Sequence, residues 1–192
     1  MAAPAPPAEG PAAVPELRGD GLLLRPLRES DAADRRACGY DPEFERLLGH
    51  DAPATTAMTE EQAAAWLRSR TRQPFNWAID VGERCVGTVG FVNLGRTWAT
   101  LSIEIFDPSL WGRGLGTGAV RLVLGHAFNT LGLHRVELQV HGYNHRAIRA
   151  YEKSGFVREG IVRECTRVDG QWIEDVTMSI LDREFHALST RD

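Results

Sequence analysis

Apolar positions along this chain change their period several times, and each change marks an element. Leu22-Leu23-Leu24-Arg25-Pro26-Leu27 is a short apolar run closed by proline, which predicts a strand. Ser30-Asp31 then offers helix N-cap chemistry ahead of helix-favouring residues from Ala32 to Ala37. Thr59-Glu60-Glu61-Gln62 joins a capping residue to carboxylates in a first turn, and Ala64, Trp66 and Leu67 recur at helical spacing up to Arg70. From Phe75 the period becomes two. Trp77, Ile79 and Val81 alternate before Gly82-Glu83-Arg84, and Val86, Val89 and Phe91 follow, the pattern of an antiparallel hairpin.

Residues 98–106 predict a further strand, with Leu101, Ile103 and Ile105 on one face, Ser102, Glu104 and Phe106 on the other, and Asp107-Pro108 closing it. Val120, Val123, Leu124, Ala127, Phe128 and Leu131 mark a long amphipathic helix that stops at Gly132. Arg135 to Val140 reads as a strand, Asn144 to Ser154 as a helix ended by Gly155, and Phe156-Val157 as the start of the next strand. Asp169-Gly170 between apolar runs signals a closing hairpin. The order β-α-α-β-β-β-α-β-α-β-β predicts an α+β fold, a mixed central sheet flanked by helices.

Composition narrows this further. Residues 1–15 hold six Ala and five Pro with almost no large apolar side chain, so a disordered tail is expected there and a single folded domain over 16–192. With 22 Lys+Arg against 26 Asp+Glu the net charge is −4, which gives no overall positive field for nucleic acid or an anionic membrane. No apolar run is long enough to span a bilayer and no secretory leader is evident, so a cytoplasmic location is expected. Cys38, Cys85 and Cys165 are widely spaced and odd in number, and with His126, His134, His141 and His145 they form no zinc spacing. No metal is expected.

The chemistry concentrates at Trp111-Gly112-Arg113-Gly114-Leu115-Gly116-Thr117-Gly118, which follows a strand and opens a helix. Backbone N–H groups and a positive helix end converge there with no Cβ in the way, the setting for a phosphate. Two phosphates compete. Gly114-x-Gly116-x-x-Ala119, with Glu137 about where a ribose-binding acid would fall, satisfies a dinucleotide fingerprint. Against that nicotinamide reading, Asp107 to Trp111 separates the strand from the glycines, Glu137 sits inside its own strand, and only one βαβ unit is visible.

The second candidate rests on two motifs together. Asp107-Pro108-x-x-Trp111-Gly112-Arg113-Gly114-Leu115-Gly116-Thr117, followed by Asn144-His145-Arg146-Ala147-Ile148-Arg149-Ala150-Tyr151-Glu152-Lys153-Ser154-Gly155-Phe156, resembles the GCN5-related N-acetyltransferase (GNAT) superfamily. Leu24-Arg25-Pro26-Leu27 with Glu29 to Ala32, and Asp169-Gly170 through Asp175 to Ser179, resemble its ribosomal-protein (RimJ/RimL-like) branch. The resemblance spans roughly residues 17–185. Trp111 stands where the superfamily commonly has Gln or Arg, and a register beginning at Arg113 also fits the letters.

The resemblance implies acetyl transfer from acetyl-CoA to a primary amine, without a covalent enzyme intermediate. The acceptor expected from it is a protein N-terminus or a small amine metabolite or antibiotic, and a homodimer is left open. It implies that the amides of Arg113, Gly114, Gly116 and Thr117 hold the pyrophosphate and that the pantetheine arm runs along the strand ending at Phe106, whose amide faces the thioester oxygen. Asn144 serves the cofactor, the helix cap, or both. Tyr151, seven residues on and on the same helical face, takes the place of the group that protonates or hydrogen-bonds the leaving sulfur. Glu104 is the first choice of base, with Glu137 and Asp175 in reserve. A non-catalytic CoA-binding module is the alternative from another class.

Overall fold

The computed structural model describes residues 14–19 and 21–189. The tail expected over 1–15 lies outside them except for its last two residues, and these are docked: Trp77 Nε1 donates to the Pro15 carbonyl at 2.7 Å, and Val14 packs on the core. The strands are β1 (Leu17–Gly19), β2 (Leu22–Pro26), β3 (Phe75–Val81), β4 (Arg84–Leu94), β5 (Trp98–Ile105), β6 (Arg135–His141), β7 (Val157–Val168) and β8 (Gln171–Leu181). The helices are α1 (Asp31–Cys38), α2 (Pro42–Leu47), α3 (Glu60–Thr71), α4 (Leu115–Asn129), α5 (His145–Lys153) and α6 (Asp182–Ser189). One sheet holds the strands in the order β1-β2-β3-β4-β5-β6-β8-β7.

The local reasons are visible. Thr59 caps α3 in a reciprocal box with Gln62, as its sequence predicts. Gly82-Glu83 and Asp169-Gly170 turn with positive φ at both positions, which matches the twist of the hairpins they join. Ser30 makes no side-chain cap for α1. The adjacent carboxylate of Asp31 instead turns inward to Arg25, which also meets Asp80, and this buried trio anchors α1 to β2 and β3.

Alternation along β3 divides the core in two. Trp77 and Ile79, with Leu24 and Val89, pack against Val120 and Leu124 of α4. Ala78 points the other way, into a smaller cluster of Phe44, Cys85 and Phe106 covered in part by Trp66. Each fully buried aromatic or leucine contributes roughly 1.5–3 kcal/mol of burial, so helices clasp the sheet on both faces.

One join in the sheet differs from the others. β5 and β6 are its parallel pair, and they are bonded only through Trp98–Thr100 and Arg135–Glu137. Beyond those three residues the strands part. The residues from Leu101 to Ile105 and from Leu138 to His141 therefore border a wedge rather than each other.

Candidate active site

The wedge opens into a cleft of about 650 Å³, lined from β5, β6, α2, the glycine loop, α4 and α5. At one end lies the start of α4. Gly114 takes the left-handed conformation (φ 83°) at the helix N-cap, and Gly112 (φ 75°) precedes it. Among the described residues no backbone carbonyl receives the N–H groups of Gly112, Arg113 or Gly114, and those of Leu115, Gly116 and Thr117 belong to a first helical turn. A Cβ added at Gly112 or Gly114 would meet nothing within 4 Å. The loop is thus open on the side from which an anion approaches.

Trp111, at the head of this loop, is fixed from two sides. Its indole N–H donates to the Ile105 carbonyl at 2.8 Å, and the Arg146 guanidinium lies 3.8 Å from its ring centre. Trp111 thus acts as a structural pin. Arg146 shares the cleft wall with Arg149 and Lys153, all three on α5 at helical spacing, so this wall is cationic. These three residues escaped the sequence reading, although their spacing was legible. The Arg113 side chain is exposed and lies outside the wall.

Asn144 does cap its helix, its side chain accepting from the Ala147 N–H at 3.1 Å, and it also lines the cleft. Tyr151 borders the same cleft, is 8% exposed, and offers a hydroxyl with no hydrogen-bond partner among the described residues. Burial pushes its phenol up to about 12.

Phe106 departs from expectation. Its amide donates to the Val86 carbonyl at 3.1 Å and so points at β4. Because N–H directions alternate along a strand, the amides turned toward the wedge are those of Ile105 and Ile103. The Phe106 ring is buried beneath the Arg35 guanidinium and edge-on to Trp66, where it packs rather than binds.

Glu104 lines the cleft as expected, but its carboxylate is heavily engaged. It accepts from Trp66 Nε1 at 3.0 Å, Arg70 Nε at 2.9 Å, Arg70 Nη2 at 3.1 Å and Thr88 Oγ1 at 3.0 Å. Burial pushes its carboxyl up, yet the Arg70 guanidinium and the two neutral donors outweigh this and hold it below the usual range. Glu137 sits in the paired part of β6 beside Arg135 and does not line the cleft. Asp175 is bonded to His141, which does.

A dinucleotide does not fit this arrangement, since among the described residues the sheet contains one parallel pair and the glycine loop stands apart from the end of β5. The open loop, the cationic wall and the wedge are chemically suited to a CoA thioester. Among the described residues no group of three or more His, Cys, Asp and Glu is placed to hold a metal ion, and no helix is long and apolar enough to cross a membrane.

The fold and cleft are those of an acyl-CoA-dependent acetyltransferase, and comparison with known proteins gives the family. The acetyltransferase (GNAT) domain matches residues 21–157, and the chain belongs to that family. A probable N-acetyltransferase of Bacillus subtilis (strain 168), YjcK, is 29% identical over 86% of this chain and 97% of its own length. The spermidine N(1)-acetyltransferase of Escherichia coli (strain K12) is 32% identical over 55% of this chain and 57% of its own. A spermidine N-acetyltransferase from Vibrio cholerae, solved with CoA and spermine, shares the fold at a TM-score of 0.71 and 20% identity, covering 88% of this chain and 99% of that one.

Proposed function

We propose that this acetyltransferase moves the acetyl group of acetyl-CoA directly onto a primary amine of a small, polyamine-like molecule. The carrying observation is the convergence on one cleft of the open glycine loop, the wedge between β5 and β6, and the buried Tyr151 hydroxyl. The relatives named for spermidine favour a small polyamine, while a protein N-terminus is the acceptor class the sequence equally suggested. A reducing, cytoplasmic setting belongs to this reading, in keeping with three free thiols.

In this reading the amides of Gly114, Gly116 and Thr117, with Arg146, Arg149 and Lys153, hold the donor's phosphates. The N–H groups of Ile103 and Ile105 bond the arm and polarise the thioester carbonyl. Phe44, Leu47 and Leu48 of the α2 region wall the cleft with apolar groups that restrict water. Tyr151 works by hydrogen bonding. A phenol near 12 facing a thiolate of about 8.5 would transfer its proton uphill by roughly 5 kcal/mol, so its hydroxyl stabilises the departing sulfur without ionising. The proton that ends on sulfur then comes from the attacking nitrogen.

The test is thiol release from acetyl-CoA with spermidine, with a peptide bearing a free N-terminus, and with no amine, beside calorimetry with CoA and NAD. Spermidine should raise thiol release at least tenfold over the amine-free rate. A preference for the peptide would move the acceptor to the protein class. CoA binding with no response to any primary amine would leave a binding module and end the reading.

A further inference from the structure

At the end of β6, His141 and Asp175 form a pair that the scheme above does not use. His141 Nδ1 lies 2.6 Å from Asp175 Oδ1, and the two side chains are only 13% and 11% exposed. The sheet brings them together, since these two residues are register partners across β6 and β8. The ring is confined on other sides as well. Tyr143 stacks on it at 5.4 Å between centroids, and Gly49 approaches so closely that a Cβ there would lie 2.4 Å from Nε2.

This confinement decides the tautomer. A carboxylate at Nδ1 keeps the proton on that nitrogen, which leaves the lone pair on Nε2. Nε2 has no hydrogen-bond partner among the described residues, and His141 lines the same cleft as Tyr151 and Glu104. Among the described residues, the other titratable or charged groups around the pair are Tyr143 on the turn after β6, Arg46 on α2 across the Tyr143 ring, and Asp169 on the turn between β7 and β8, whose charge acts on Tyr143; Thr166 of β7 approaches Gly49 with a methyl group.

An alkyl amine with an ordinary value near that of lysine is neutral in only about one molecule in a thousand around pH 7.4. Its lone pair must be freed before it can attack. Glu104 is poorly suited to that task, because four donors and the Arg70 charge already occupy its carboxylate. We infer that His141, held by Asp175, takes the proton from the acceptor ammonium, with Asp175 as its positioning residue.

The inference rests on the acetyltransferase reading and adds the base to it. One ammonium proton passes to Nε2 and later to solvent; nitrogen then bonds the carbonyl carbon; the carbon–sulfur bond breaks with its electron pair on sulfur. A second nitrogen proton reaches the thiolate directly or through a water while the Tyr151 hydroxyl hydrogen-bonds the sulfur, and the third stays on the amide. Nothing is oxidised or reduced.

The experiment compares the parent enzyme, His141→Gln and Asp175→Asn with acetyl-CoA and spermidine from about pH 7 to pH 10, and with hydroxylamine, an acceptor already neutral at pH 7. Calorimetry with CoA accompanies each variant. His141→Gln should lower kcat/KM for spermidine about 10²-fold near pH 7.5, within the range of general-base effects. The deficit should shrink as pH rises and as spermidine is replaced by hydroxylamine, with CoA affinity within twofold of the parent. Asp175→Asn should show the same trend at about tenfold. A deficit equal at all pH values and for both acceptors, or no deficit, overturns the inference. If His141→Gln fails to bind CoA, Asp175→Asn decides by the same criteria. A parent enzyme inactive on every amine overturns the functional reading itself, and this inference falls with it.

Discussion

The guanidinium of Arg146 lies over the Trp111 indole, 3.8 Å from its centre, while that indole donates to the carbonyl of Ile105 at 2.8 Å. One side chain thereby links the first turn of α5, the head of the glycine loop and the end of β5. Trp111→Phe keeps a ring for Arg146 and removes the N–H. The loss of about 1 kcal/mol for that bond should appear as roughly a fivefold weaker CoA affinity by calorimetry. Trp111→Ala, which removes both links, should weaken it further.

Gly116 is the cleanest position at which to close the loop. A Cβ there would meet only Ile105 Cδ1, at an ordinary 3.7 Å, so Gly116→Val should fold. Its side chain would keep a phosphate from the amides. With hydrogen bonds to charged groups at about 1.5–3 kcal/mol each, CoA affinity should fall on the order of tenfold to a hundredfold, with little change in Tm. Unchanged affinity would mean that the phosphates are held elsewhere.

Tyr151→Phe preserves the packing against Phe156 and deletes only the hydroxyl. The expected result is a kcat about 10²-fold lower at nearly constant Tm. Stability should respond in alkali as well. The folded phenol sits at about 12, and the unfolded one near 10. Between those values the unfolded chain has given up a proton that the fold retains, so parent stability should decline as pH rises through that window. Tyr151→Phe should lack this component of the decline, which denaturant titrations from pH 9 to 12 would reveal.

Glu104→Gln separates wall from base. The substitution leaves Arg70, whose side chain is 28% exposed, without its counter-charge. A loss of about 2 kcal/mol is expected, below the value for a fully buried pair because water reaches the guanidinium. Since the folded carboxyl lies below its unfolded value, the parent holds this stability above pH 4.5 and loses it as pH falls toward the folded value. The variant should lose less over that acid range. If its main defect is instead a kcat deficit confined to low pH, Glu104 is the base after all.

The legible features were those encoded locally. Period-two alternation marked β3, β4 and β5, and the Thr59–Gln62 box marked α3. The helix at Pro42–Leu47 was passed over because six residues carry no readable periodicity, although Asp41 caps it and Pro42 opens it. Gly114, Gly116, Thr117, Asn144 and Tyr151 border one cleft because two short motifs each lie within a single strand-to-helix turn or helix. Other roles depend on distant partners. Which amide of β5 faces the wedge follows from pairing with β4, and the burden on Glu104 follows from Trp66 and Arg70 on α3. His141 and Asp175 meet through strand register across 34 positions of chain, which no local pattern announces.

The three-residue join between β5 and β6 makes the sheet resemble two leaves on a short hinge, β1 to β5 on one side and β6, β8 and β7 on the other. Along the open seam, peptide groups of both leaves have no strand to bond; the Trp111 indole meets the Ile105 carbonyl, and in the unliganded protein water serves the others. In the proposed binding mode the donor's arm would stand in for a missing strand there and bridge the leaves. By mass action, a donor at a hundred times its Kd adds about 2.7 kcal/mol to the resistance against unfolding. The durability of this fold then follows the supply of its donor, because the substrate completes the architecture that binds it.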